Sequence, residues 1–143
     1  MRRSALALSV LLLASPALAI DMGTPSSAGA ADLAPARAAI AQENWQGAAN
    51  LLQPIVQAEP RNADALNLMG FVLRKSGNLP QAGRYYDAAL QADPNHLGAL
   101  EYQGELFLMQ GDRAGAEANL LRLTQLCGGC EERQDLAAAL AGS

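Results

Sequence analysis

The residues of this chain repeat at one interval, and that interval limits what it can fold into. Ala48, Ala82 and Ala116 are 34 positions apart, as are Gln57, Gln91 and Gln125. Gly70 returns as Gly104, Gly77 as Gly111, Leu66 as Leu100 and Pro60 as Pro94. Self-similarity at this period marks stacked helix–turn–helix units, none of which can bury its apolar face alone. From Asp32 onward Ala and Leu dominate and β-branched residues are scarce. The apolar spacing follows a helical period, so the fold class is all-α.

The same spacing predicts where each helix begins and ends. Asp32 is a candidate N-cap, and Pro35 falls in the first turn, where no intrahelical donor is lost. The first helix is expected to reach about Gln42. Glu43-Asn44 turns the chain, and a second helix runs from Gln46 to Ala58 before Pro60. The next pair spans about Ala63 to Lys75 and Pro80 to Ala92, with Gly77-Asn78 between them and Asp93-Pro94 as the stop. A third pair covers Leu97 to Gln110 and Arg113 to Leu126 around Gly111-Asp112. A last helix follows from about Glu131 to Leu140, its acidic start matched to the helix dipole. In the middle pair Gly70 and Ala82 leave room for close backbone approach, and Met69 and Tyr86 fill the space beside them.

The beginning of the chain is a different kind of sequence. Arg2 and Arg3 precede an apolar run from Ala5 to Ala14, and Ser15-Pro16-Ala17-Leu18-Ala19 supplies a helix break and small residues. This is the pattern of a signal peptide over 1–19, cleaved after Ala19. Residues 20–31 are small and polar, too poor in apolar surface to offset ordering entropy, and are expected to form a disordered lead-in. Removing Arg2 and Arg3 with the leader takes the formal charge from −4 to −6. That balance argues against a phosphate-dominated nucleic-acid interface. The expected product is soluble after processing, with no stable membrane insertion, and lies in a bacterial periplasm or is secreted.

Taken together, the repeated positions resemble those of the tetratricopeptide-repeat (TPR) family. The middle unit carries Leu66, Met69, Gly70, Gly77, Ala82, Tyr86, Ala89 and Pro94 where that motif expects them. The third unit matches through Leu100, Gly104, Phe107, Gly111, Ala116 and Leu120, but has Leu123 at a usually small site and Gly128 where Pro is usual. The first unit keeps Ala36, Ala48, Leu52 and Pro60. The resemblance implies a TPR domain over 32–141, with units of about 29–62, 63–96 and 97–130 and a capping helix over 131–141. It also implies a right-handed superhelix whose concave groove binds a segment of a partner protein, with no catalysis and no cofactor. The groove residues it implies are Asn67, Phe71, Arg74 and Lys75, then Glu101, Glu105, Leu108 and Met109, with Leu33, Arg37 and Ile40 from the first unit. Family members that bind chaperones hold a C-terminal carboxylate with a Lys/Asn/Arg set. Asn67 and Phe71 stand at two of those positions, so that activity is not carried over. The mixed signs suit a ligand with an acidic and a basic part; the competing reading is solvated faces or a weak internal ion pair.

Cys127-Gly128-Gly129-Cys130 is the one motif with chemical potential. As a disulfide it would close the turn before the last helix, contributing on the order of 2 kcal/mol for so short a loop. A redox pair and metal or haem handling remain alternatives, which would make the protein a cytochrome-assembly-like accessory. Against them, the βαβ context of redox pairs is missing, and the cysteines and His96 are short of a closed metal site. His96 is expected to be an exposed linker residue and Trp45 a packing residue.

Overall fold

The computed structural model describes residues 31–143. The leader (1–19) and the lead-in as far as residue 30 lie outside the described residues. Helices α1 (Ala34–Ala41), α2 (Trp45–Ala58), α3 (Ala63–Lys75), α4 (Leu79–Ala92), α5 (Leu97–Met109), α6 (Arg113–Cys127) and α7 (Glu131–Ala141) follow in order, with no strand among the described residues. None of these helices is long and apolar enough to cross a membrane.

The period is written most plainly in the helix starts. Asn44, Asn78 and Asp112, each 34 residues from the next, accept the backbone N–H of Gly47, Gln81 and Gly115 at 2.9, 3.4 and 2.9 Å. Asn62 and His96 do the same for the first helices of their units, accepting from Ala65 and Ala99 at 3.0 Å each. His96 is therefore a helix cap and not an exposed linker. Its Nδ1 is the acceptor, so its Nε2 carries the proton and donates to Asp64 at 3.2 Å. At the other end, Asp32 binds the N–H of Ala34 at 2.9 Å, but Leu33 holds the N-cap position.

The turns repeat too. Gly77 and Gly111 sit at φ +83° and +79°, where a side chain would be strained. Glu43, their counterpart in the first unit, adopts φ +55° without being a glycine. Pro54 lies inside α2 on an exposed position, and the helix runs through it to Ala58 although proline there removes an intrahelical donor.

Helices pack as pairs, α1 on α2, α3 on α4 and α5 on α6, with α7 laid against both α5 and α6. The dry interior crosses unit boundaries. Ala36, Ala48, Leu52 and Val56 of the first unit share one cluster with Ala65, Leu66, Met69 and Val72 of the second. Tyr86 and Leu106 meet in another, and Leu100 and Leu123 join Leu136 and Leu140 of α7 in a third. Gly70 lies flat under the ring of Tyr86, which a Cβ there would approach to 2.6 Å. Gly104 makes the corresponding room for Leu136.

Candidate partner-binding groove

Phe71, Arg74 and Lys75 project from α3, Tyr102, Glu105 and Leu108 from α5, and Ala139 and Gly142 from the end of α7. Together with Ser143 they line a cavity of about 460 Å³. Phe71, Arg74, Lys75, Glu105 and Leu108 are residues the repeat register placed in the groove. Tyr102 and the α7 residues are additions that the sequence did not signal. Tyr102 stands 34 residues after Leu68, which is buried in the core, and α7 lies outside the repeat period.

The other expected groove residues are placed differently. Asn67 and Glu101, 34 residues apart on α3 and α5, are only 6% and 7% exposed and do not line the cavity. Arg37 is exposed and stands 4.0 Å from the carboxylate of Asp64, away from the cavity. Leu33 and Ile40 turn inward against the first core cluster, because a short helix at the end of the array has no other apolar face to cover. Met109 is 56% exposed at the end of α5 and does not line the cavity.

An aromatic row runs across the α3 side. Trp45 meets Phe71 edge-on at 6.2 Å, Phe71 meets Tyr102 at 4.9 Å, and Tyr102 meets Tyr86 at 6.5 Å. Arg74 stacks over this row, 5.4 Å from the Phe71 ring and 5.6 Å from Tyr102. Its Nη2 lies 2.6 Å from Glu105, and its Nε donates to the Tyr86 hydroxyl at 3.3 Å. With only 10% of its side chain exposed, Arg74 is committed to these internal partners. Burial pushes the Tyr86 hydroxyl pKa upward despite Arg74, and pushes that of Tyr102 upward too. Lys75, by contrast, is exposed, hangs 5.9 Å from Trp45 and 6.0 Å from Phe71, and makes no ion pair with any described residue.

The α5–α7 side is acidic. Burial, together with the nearby carboxylates of Glu105, Asp135 and Glu132, pushes Glu101 up to about 8, so it holds its proton at neutral pH. Behind this wall a chain of hydrogen bonds links α6, α5 and α4. Asn119 on α6 donates to the Leu100 carbonyl and to Gln103 at 3.0 Å each, and Gln103 donates to Asp87 on α4 at 2.7 Å. Cys127 and Cys130 are bonded to each other, closing the turn between α6 and α7. Among the described residues no group of three His, Cys, Asp or Glu is placed to hold a metal.

A tetratricopeptide-repeat model matches residues 33–96 and again 68–129, which together make up more than half the chain. The chain belongs to the tetratricopeptide-repeat family. Among solved structures it is similar to the TPR2B domain of yeast Sti1 in complex with an Hsp70 peptide, at 17% identity and TM-score 0.67, covering 76% of this chain and 91% of that one. It is also similar to the Yersinia enterocolitica type III secretion chaperone SycD in complex with a peptide of the translocator YopD, at 16% identity and TM-score 0.67, covering 77% and 84%. The first TPR of Spaghetti (RPAP3), bound to the HSP90 peptide SRMEEVD, aligns at 14% identity and TM-score 0.65, covering 74% and 87%. No curated protein sequence matches the chain. At these identities the structural likeness establishes the fold.

Proposed function

We propose that the protein is a TPR scaffold, exported to the periplasm, that holds a segment of a partner protein in the groove between α3, α5 and α7 and acts by binding, not by turnover. One observation supports this most: a cavity of about 460 Å³ whose walls combine the apolar faces of Phe71, Tyr102 and Leu108 with charged side chains. Apolar anchors ringed by charge are what a peptide needs for affinity and register. The structurally similar TPR domains named above were solved with peptides bound, which supports the same reading.

The test is selection of heptapeptides from a displayed random library against the purified chain. Binding of the selected peptides is expected to fall at least tenfold in Phe71→Ala with Leu108→Ala. It is expected to be unchanged in Leu121→Ala, an exposed position on α6. Equal loss in both variants, or in neither, would overturn the groove as the binding surface. Fractionation of cells, with the chain recovered in the periplasm, checks the export part.

A further inference from the structure

Within the groove the charges do not balance, and the imbalance points to the chemistry of the ligand. Arg74 is neutralised by Glu105 at 2.6 Å and held over two rings, so it is not free to receive a ligand carboxylate. Lys75 remains as an exposed cation at one end. At the other end α5 packs on α7, and the carboxylates of Glu105, Asp135 and Glu132 all act on Glu101. Glu132, Asp135, Ala139 and Gly142 follow one another at helical spacing along one side of α7, and the last two line the cavity. Arg133 lies on the neighbouring side of α7 with Leu136 and Leu140, its Nε buried without a hydrogen-bond partner among the described residues.

Two deeply buried polar side chains beneath this wall lack partners. Glu101 makes no hydrogen bond and no ion pair with any described residue, although it is only 7% exposed. Asn67, at the equivalent place on α3, reaches over to α5, where its Nδ2 would lie 3.0 Å from a Cβ on Gly98. Its Oδ1 is buried with no donor. A buried acceptor without a donor costs about 1–3 kcal/mol, and a donor-bearing guest would relieve that cost.

We propose that the α5–α7 wall receives an arginine or lysine side chain of the partner segment, so that the groove selects basic segments over acidic ones. The proposal rests on the groove being the binding surface. A guanidinium or ammonium supplies donors to Glu101, Glu132 and Asp135, and its charge meets theirs in a site partly shielded from water. Arg74 of α3, the cation acting on Glu101, is held by Glu105 and does not compete for the guest. A proton linkage follows. Near pH 7 Glu101 retains its proton, and a docked cation favours the carboxylate, so binding releases a proton and tightens as pH rises toward 8.

The test compares an amidated hexapeptide of alternating arginine and phenylalanine with its glutamate–phenylalanine counterpart and with SRMEEVD, by titration calorimetry on the purified chain. The arginine peptide is expected to bind at least tenfold tighter than either acidic peptide. Its apparent enthalpy should change between buffers of different ionisation heat, reporting proton release. The double variant Glu132→Gln, Asp135→Asn, both on the surface side of α7, should lose about tenfold in affinity. Glu101→Gln should abolish the proton release while still binding. Equal or tighter binding of an acidic peptide, weakened by Phe71→Ala, would leave the groove standing and overturn the charge preference. Arginine-peptide binding indifferent to Phe71→Ala and to the α7 variant would overturn both. Absence of binding by all three peptides would overturn the charge preference.

Discussion

The middle and third repeats share the same positions but use them for opposite ends. Asn67, Phe71, Arg74 and Lys75 on α3 stand 34 residues before Glu101, Glu105, Leu108 and Met109 on α5. The first set makes an aromatic, cationic wall and the second an acidic, aliphatic one. The repeat register fixes where a side chain projects, and the identity of that side chain is then free to differ. The two walls also differ in how well they are satisfied. Arg74 has a carboxylate, a hydroxyl and two rings for partners, whereas Glu101 has like charges. The first arrangement stabilises the fold, and the second leaves chemistry available to a partner.

The largest effect expected from this contrast lies at the paired glycines. Gly70→Ala drives a methyl into the Tyr86 ring, which is itself fully buried and cannot step aside, so it should cost about 3 kcal/mol in urea denaturation. Gly104→Ala meets the branched end of Leu136, which is buried as fully but can turn about its own side-chain bonds where a ring cannot, and should cost about half as much. Equal losses would mean the two repeats are closed by equivalent packing.

Glu101 sharpens the contrast next. Its folded pKa of about 8 lies above the ordinary 4.5, so the native chain binds more protons than the unfolded one between those values. Its contribution to stability is therefore intact at low pH and is lost as pH rises through 8. Glu101→Gln should leave stability near pH 4.5 almost unchanged and raise it at pH 9 by on the order of 2 kcal/mol. A variant stability curve parallel to that of the parent would show that the acidic wall is not strained.

Smaller effects separate the first repeat from the others. Glu43→Gly gives the first turn the residue its counterparts have, and should stabilise by about 1 kcal/mol in the same denaturation assay. His96→Asn copies the cap of the preceding unit and should be nearly neutral, while His96→Ala should cost about 1 kcal/mol.

His96 also shows what could be read in the sequence and was not. Its equivalence to Asn62 was visible, and a position that caps one helix caps the next. Histidine is an uncommon cap, so composition pointed elsewhere. Helix bounds were legible to within a residue or two because Gly77, Gly111, Pro60 and Pro94 punctuate them at the period. Tyr102 was not legible as a groove residue, since its counterpart Leu68 faces the core, whereas the Tyr102 ring stands against Phe71 and Tyr86 at the side of the cavity. Nor was the burial of Glu101. A carboxylate on a helix flank reads as solvated until Glu132 and Asp135 are brought against it by a helix outside the repeat.

Backbone amide chemical-shift mapping of the ¹⁵N-labelled chain, titrated with a peptide selected from the displayed library, tests the central claim most directly. The account expects the perturbed amides to cluster on α3, α5 and α7 around Phe71, Tyr102 and Ala139. Perturbations concentrated on α4 and α6, with those three helices silent, would contradict it.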